Sequence, residues 1–568
     1  MRHLLERVGG WLGAAIALAL PITFIPLISD SYILPRASIV IAGACLGAGL
    51  AFLGSGSLGL GTLRLPLLTA AVAAVLAFAF SISWPLSLAG SYTRYESLPM
   101  RLAYLGLLAS AVWLLRTQRQ RDWVAGAFVF ATSVACLKAW AQWYFHAPFR
   151  PDGDLGNANL LAALVAMGIP LAVSRALRVG WFSGAWAMSV VVMGVGLWTT
   201  TSRSGLLGAL AGCLVLGLLA VPRRFVAPIA AASAVVMLGL LAFVRVYLNT
   251  LNSDPGELRL GLWRDGLNMV AARPVTGWGE DTTGLAFGHF LSQDYATLVT
   301  FDRIHSGPLD IAATQGVVGL AALGWVLVVL ATGAWRRRFT GNVAGLAAAL
   351  AGYTVWVAFN FDWSPATGMF WLLAGTLWSG VRAEQSPPHS WGGGGEAAGG
   401  AAFPSPLAGE GGPAAKRPGR MGTFPSPLAG EGGPAAKRPG RMGTSIWQPA
   451  LAVVLVLAAV PLAVLPLLAD SRYLHGRADL AVTADPLQAQ YHWALGEGLF
   501  ASGDPTRGLA ELRRAADLGE TEPGLYVELG DHEARLGDRA QARADYKRAL
   551  QIDPYYSPAA DRLSALGP

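Results

Sequence analysis

The chain has 568 residues, of which 54% are apolar and only 14% charged, with 20 Trp, a mean hydropathy of +0.46 and a net charge of +7. This balance excludes an ordinary soluble domain and identifies an integral membrane protein, a polytopic all-α bundle. Cys45, Cys136 and Cys213 all fall inside apolar stretches, so neither a disulfide framework nor a thiolate metal site is indicated.

A hydrocarbon core about 30 Å thick needs roughly 20 helical residues to cross it. Apolar stretches of that kind recur at 11–29, 37–53, 65–84, 98–115, 123–144, 158–173, 181–199, 204–220, 226–246, 309–334, 343–361 and 367–381, and then, after a break, at 447–468. The reading is twelve spans and a thirteenth. The first follows Arg2 and Arg7, lacks a small-residue cleavage site, and is read as a retained anchor. Lys and Arg in short loops set orientation. With the N-terminus inside, the basic loops 116–122, 174–179, 221–225 and 335–339 are all cytoplasmic. Loops 90–97, 146–159, 199–205, 247–308 and 360–365 then lie on the outer side. The net positive charge is therefore topogenic and implies no nucleic-acid partner.

Beyond the twelfth span the composition turns to Gly, Pro and Ala, and "FPSPLAGEGGPAAKRPGRMGT" at 403–423 repeats unchanged at 424–444. Such a segment has too little apolar surface to offset its chain entropy, so 382–446 is expected to be a disordered cytoplasmic linker carrying a tandem 21-residue duplication. The span at 447–468 returns the chain to the outer side. The polar tail 471–568 then shows a 34-residue echo: Leu495–Gly496 recur as Leu529–Gly530, Gly503 as Gly537, Ala510 as Ala544 and Ala515 as Ala549. This spacing resembles tetratricopeptide repeats, in which small residues let paired helices approach. Such a tail is either a docking groove for a protein partner or a bundle that caps the membrane part, and the repeat alone does not choose.

The outer loops hold the residues suited to chemistry. Arg203, in "TTSRSG", stands where one span ends and the next begins, either snorkelling to the interface or facing an anion. Within the loop 247–308, "RLGLWRDGLNMVAARPVTGWG" puts Leu260, Trp263, Leu267 and Val270 on one side of an amphipathic helix that Pro274, Gly277 and Gly279 end. Arg259 and Arg264, five apart, diverge by about 140° around that helix, so one grips a ligand while the other faces solvent. His305 precedes the next span at headgroup depth, a structural boundary histidine or a base. Asn157 and Asn159 either position a ligand or cap the following helix, with the cap favoured.

These pieces, in order, resemble the O-antigen ligase and polymerase superfamily of bacterial envelope glycan assembly. The resemblance covers 90–381: "GSYTRYESL" around Arg94, "GDLGNANLLAALV" around Asn157 and Asn159, "TTSRSG" around Arg203, "RLGLWRDGLNMVAARPVTGWG" around Arg259 and Arg264, and "HSGPLDIAATQGVVGL" from His305. It departs from the family where His-Asn is His305–Ser306 and where the acidic residue nine positions after the histidine is Thr314. The resemblance implies a multi-pass protein of the bacterial inner membrane with a periplasmic site. There it would transfer a glycan from undecaprenyl diphosphate to a hydroxyl of lipid A core, a growing glycan or a protein. No metal and no cofactor are implied, and the anomeric centre would invert. Fixed guanidiniums match a diphosphate leaving group as its charge develops. Arg203 and Arg259 are the expected principal diphosphate ligands, Arg94 and Arg264 secondary ones, and His305 the general base.

Glu280–Asp281 and Asp152–Asp154 lack a His or Cys at ligand spacing and are read as solvated loop acids rather than metal ligands. The competing class is a secondary transporter. Its best signal is Lys138 inside a span, but that residue lies near the outer end, and no repeated half with broken helices is evident.

Overall fold

The computed structural model describes residues 2–54, 58–178, 180–222, 224–228, a few positions between 231 and 242, 256–383 and 447–567. Most of the expected span 226–246 and nearly all of the linker 382–446 lie outside the described residues. Among the described residues the regular structure is helical, without a strand, and eight helices are long and apolar enough to cross a membrane. The protein is an integral membrane protein.

The bundle is built from α1 (Arg2–Ile22), α2 (Leu34–Gly54), α3 (Arg64–Ala79), the short α4 (Trp84–Ala89), α5 (Leu98–Leu114), α6 (Gln118–Tyr144), α7 (Ala158–Ala176), α8 (Ser183–Thr200) and α9 (Arg203–Ala220). It continues through α10 (Gly256–Ala272), α11 (Gly307–Arg336), α12 (Val343–Ala358) and α13 (Ser364–Ala383). Small residues set the closest approaches. Gly208 and Gly212 of α9 face the Gly352 and Ala348 carbonyls of α12 so closely that a Cβ would sit 2.6 and 2.8 Å from them. Buried almost along its whole length, α13 packs on α5 as the central post of the apolar core.

At one end of the bundle the basic loops meet. Arg175 pairs with Asp122, Asn342 donates to the same carboxylate, and Arg178 donates to the Gly341 carbonyl. Loops 90–97, 274–306 and 359–363 gather at the other end and are joined by ion pairs described below.

α11 is not continuous. Gly316 has φ 69°, and the turn Val275–Gly279 docks against the break. The N–H groups of Trp278 and Gly279 donate to the carbonyls of Ala313 and Thr314 at 2.9 and 3.0 Å, and Val317 N–H donates to the Pro274 carbonyl at 2.8 Å. A broken helix inside lipid strands carbonyls, and these are satisfied by the loop that Pro274, Gly277 and Gly279 shape.

The returning helix, α14 (Trp447–Ala459) continued through a π turn into α15 (Leu465–Leu474), packs on α2. Six shorter helices follow: α16 (Ala478–Ala484), α17 (Ala489–Ala501), α18 (Pro505–Asp517), α19 (Pro523–Arg535), α20 (Arg539–Ile552) and α21 (Ser557–Ala565). α17 with α18 and α19 with α20 form hairpins. Gly496 and Gly530, 34 residues apart, occupy the same place in each, where a Cβ would lie 2.7 Å from Leu512 and 2.4 Å from the Tyr546 ring. The C-terminal helices rest on the end of the bundle that carries loops 90–97 and 274–306. Leu86 and Leu285 share one apolar cluster with Leu512, Leu525 and Ile552.

Candidate functional site

The connection Phe359–Trp363 between α12 and α13 runs through the middle of the site, and three of the seven expected residues touch it. Arg259, from the first turn of α10, donates through Nη1 to the Phe359 carbonyl at 2.6 Å. Asn360 donates to Ser204 Oγ at 2.9 Å, next to Arg203 at the start of α9. The Phe361 ring meets the His305 ring edge-on at 5.4 Å and lies 4.9 Å from the Arg94 guanidinium, which also stacks over Trp363 at 4.5 Å. Arg94, Arg259 and His305 are thus brought around one pentapeptide, and Arg203 is joined to it through Ser204 and Asn360.

Arg264 lies on the exposed side of α10 and is not brought into this group. Asn157 caps α7, accepting from Asn159 N–H at 2.8 Å. Asn159 faces the arginine end of α9, its Oδ1 accepting from Ser202 Oγ at 2.9 Å and from Arg150 at 3.4 Å. Ser202 in turn caps α9 at Gly205 N–H, so Arg203 occupies the first helical position.

His305 has φ 60°, in the left-handed region that histidine visits more readily than most side chains. The turn is held by Asp310, whose Oδ1 accepts from Ile304 N–H at 2.8 Å, and by Trp263 Nε1, which donates to the His305 carbonyl at 3.3 Å. Nδ1 lies 3.2 Å from the Arg303 carbonyl, which requires the proton on Nδ1 and leaves the lone pair on Nε2. Burial, with Arg259 adding to it, pushes the imidazole pKa below its ordinary value, against a smaller upward pull from the Arg303 carbonyl. A neutral ring with an unprotonated Nε2 is the form a general base needs. Thr314, where the resemblance leads one to expect an acid, returns its hydroxyl to the Asp310 carbonyl at 2.8 Å.

Behind the arginines lies a network of buried charge. Arg94 forks onto Asp302 at 2.5 and 3.2 Å. Burial alone would raise the Asp302 pKa, but Arg94 and Arg303 outweigh it and hold the carboxyl at about 2. Arg303 pairs with Asp281, which also accepts from Ser91 N–H at 2.5 Å. Arg101, one turn into α5, donates to Glu280 at 3.1 Å and to Asp362 at 2.6 Å and lies 3.7 Å from Glu96. Gln315, beside the break in α11, donates to the other Glu280 oxygen at 2.6 Å.

This network corrects the expectation of solvated acids. Glu280 is 0% and Asp281 3% exposed, and each is neutralised by an arginine. Asp152 is also buried, accepting from Gln142 at 3.0 Å, while Asp154 pairs with Lys138. Lys138 is therefore a partner of an outer-loop acid as well as a boundary residue. Burial raises the Glu280 pKa, with Arg101 opposing it, and pushes Glu96 up to about 7. Buried carboxylates survive only when paired, and breaking such a pair is more costly than never having built it.

On the Asp362 side of the same connection, a cleft of about 830 Å³, open mouth included, descends between α3, α5, α11, α12 and α13. Arg101, Gln315 and Asp362 head it, and Ala74, Leu105, Ile311, Leu323, Leu327 and Phe370 line the apolar remainder. Among the described residues no three His, Cys, Asp or Glu side chains converge as metal ligands.

No curated protein matches the chain. Residues 188–324 match the family described as O-Antigen ligase, a stretch that includes Arg203, Arg259, Arg264, His305 and the break in α11. The match supports the O-antigen ligase superfamily for this central part of the chain and, at that coarse level, a glycan-transfer role.

Proposed function

We propose that the protein transfers a glycan from undecaprenyl diphosphate to an acceptor hydroxyl at the periplasmic face of the bacterial inner membrane, as an O-antigen ligase does, without a metal and with inversion. The observation that carries this reading is the gathering of Arg94, Arg259 and His305 around Phe359–Trp363, with Arg203 one hydrogen-bonded step away. Two of these cations and the imidazole lie inside the stretch similar to O-antigen ligases.

In this mechanism the bond between the anomeric carbon and the diphosphate oxygen breaks as the acceptor oxygen attacks from the opposite face. Negative charge grows on the leaving diphosphate, and Arg203 and Arg259 stabilise it with fixed planar donors where water is scarce. Arg94 is a secondary ligand, held in orientation by Asp302, and exposed Arg264 would reach only the outer part of the donor. Asn159 orients the Ser202–Arg203 turn, and Asn157 fixes the start of α7. Nε2 of His305 takes the proton from the attacking hydroxyl. The apolar cleft beside the connection suits a polyprenyl chain, with its charged head toward the arginines.

Residues 1–381 are read as the transferase domain, 382–446 as a cytoplasmic linker, 447–468 as a further span and 471–568 as a tetratricopeptide-like periplasmic domain. The acceptor hydroxyl belongs to lipid A core, a growing glycan or a protein, and the repeat-like tail tilts the choice slightly toward a protein-linked or partner-guided acceptor. The similarity of residues 188–324 to O-antigen ligases favours the enzyme over a transporter.

Mass spectrometry of lipid-linked glycans in cells carrying Arg259→Ala or His305→Ala tests the reading. Accumulated donor with normal membrane insertion supports it. Unchanged transfer in both variants overturns it.

A further inference from the structure

The turn that presents Arg94 is strained. Thr93 and Tyr95, a β-branched and an aromatic residue, both have left-handed φ values, 69° and 57°. Such conformations persist only where the surroundings over-determine them. On the bundle side the turn is held by Trp363, whose Nε1 donates to the Thr93 carbonyl at 3.0 Å, and by Asp281, which takes the Ser91 N–H.

Further supports come from the far end of the sequence. Tyr92 donates its hydroxyl to Asp470 Oδ1 at 2.7 Å, and Tyr491 of α17 donates to the same oxygen at 3.1 Å, while Tyr92, Tyr473 and Tyr491 pack ring against ring. Gln488 donates to the Gly90 carbonyl at 3.4 Å. On the other flank, Thr521, between α18 and α19, packs on Gly284, which also neighbours Asp302, the partner of Arg94. A Cβ at Gly284 would lie 3.0 Å from Thr521 and 3.5 Å from Asp302. The segment bearing Thr521 is itself stiff, because the buried Glu520 carboxyl accepts the N–H groups of Thr521 and Glu522 at 2.8 and 3.2 Å.

We propose that the C-terminal helices are a positioning element of the transfer site: Tyr491 and Gln488 on one flank, and Thr521 on the other, hold Arg94, through its turn and through its partner Asp302, where the guanidinium meets the donor's diphosphate. The proposal rests on the reading of Arg94 as a diphosphate ligand. It gives the repeat-like tail a task within the enzyme, where sequence alone left docking and capping equal. The positioning residues touch no substrate. They act through Tyr92 and through Gly284 and Asp302.

The test uses the full chain in membranes, with Tyr491→Phe and Gln488→Ala combined, a pair that keeps the ring packing. The KM for lipid-linked donor is expected to rise about tenfold with kcat retained, the scale of one or two lost hydrogen bonds. Amide exchange in residues 90–97 is expected to quicken by a similar factor, a readout that needs no catalysis. Unchanged exchange at 90–97, or an unchanged KM, overturns the positioning role while leaving the transferase reading intact. Unchanged donor levels in both Arg259→Ala and His305→Ala would instead sink the proposed roles of those residues, and the exchange measurement would still decide whether the tail holds the turn.

Discussion

Tyr92 and Tyr491 donate to one oxygen of Asp470, at 2.7 and 3.1 Å, so a loop near the start of the chain and a helix near its end share a single buried carboxylate. The other Asp470 oxygen accepts from Asp30 N–H at 2.7 Å. Asp470→Ala removes the acceptor and strands three donors. The expected loss is about 3 kcal/mol, read as a lower unfolding temperature in detergent. Tyr491→Phe removes one donor and should cost about 1 kcal/mol.

Arg259→Ala and Arg203→Ala are each expected to lower kcat/KM for donor by about 10²–10³, the scale of removing one preorganised donor from a developing oxyanion. Arg259→Lys should rescue poorly, because a point charge cannot keep the in-plane bond to the Phe359 carbonyl while facing a diphosphate. Kinetics on membranes of matched protein content decides this, and a lysine variant near wild-type activity would show that charge alone is sufficient.

The pH profile follows from His305. A base works unprotonated, and its pKa is held below the ordinary 6.5 by burial and by Arg259. The acid limb of kcat/KM should therefore lie below pH 6.5, with full activity at neutral pH. A limb at or above 6.5 would mean that another group titrates.

Glu520 is 8% exposed, and burial pushes its pKa from 4.5 up to about 7, against the two backbone N–H groups that pull it down. The folded carboxyl then holds its proton more tightly than the unfolded one. Stability should fall as pH rises from 4.5 to about 7 and level off above that, by at most about 3 kcal/mol. Glu520→Gln keeps the acceptor oxygen without the charge. It should raise the unfolding temperature at pH 8 and leave it nearly unchanged at pH 4.5.

Gly316→Ala places a Cβ 2.1 Å from the Val275 carbonyl oxygen at a residue with φ 69°. Neither backbone can yield without breaking the bonds across the helix break, so a loss of about 3 kcal/mol or more and poor accumulation in membranes are expected. Thermal unfolding of whatever protein accumulates gives the measurement.

The apolar stretches were legible because lipid demands length and composition, and helices stand at most of the expected spans. The 34-residue echo was legible too, since Gly496 and Gly530 mark where helices must touch. Partnership was not. Glu280–Asp281 beside glycines reads as a wet loop until Arg101, from another span, and Arg303, from the far end of the same loop, are placed against it. The available signal was Arg101 itself, a cation one turn inside an apolar span, which is costly without acids to meet it. Gly316 was equally silent, because a lone glycine inside an apolar run is compatible with an unbroken helix. The connection Phe359–Trp363, read as a mere link between spans, organises the site through its carbonyl and rings, which no spacing rule reports.

The break in α11 also decides what this end of the protein can do as a moving part. Lifting Val275–Gly279 would bare the Ala313 and Thr314 carbonyls to hydrocarbon, at several kcal/mol for each orphaned group. The segment is a keystone and not a flap.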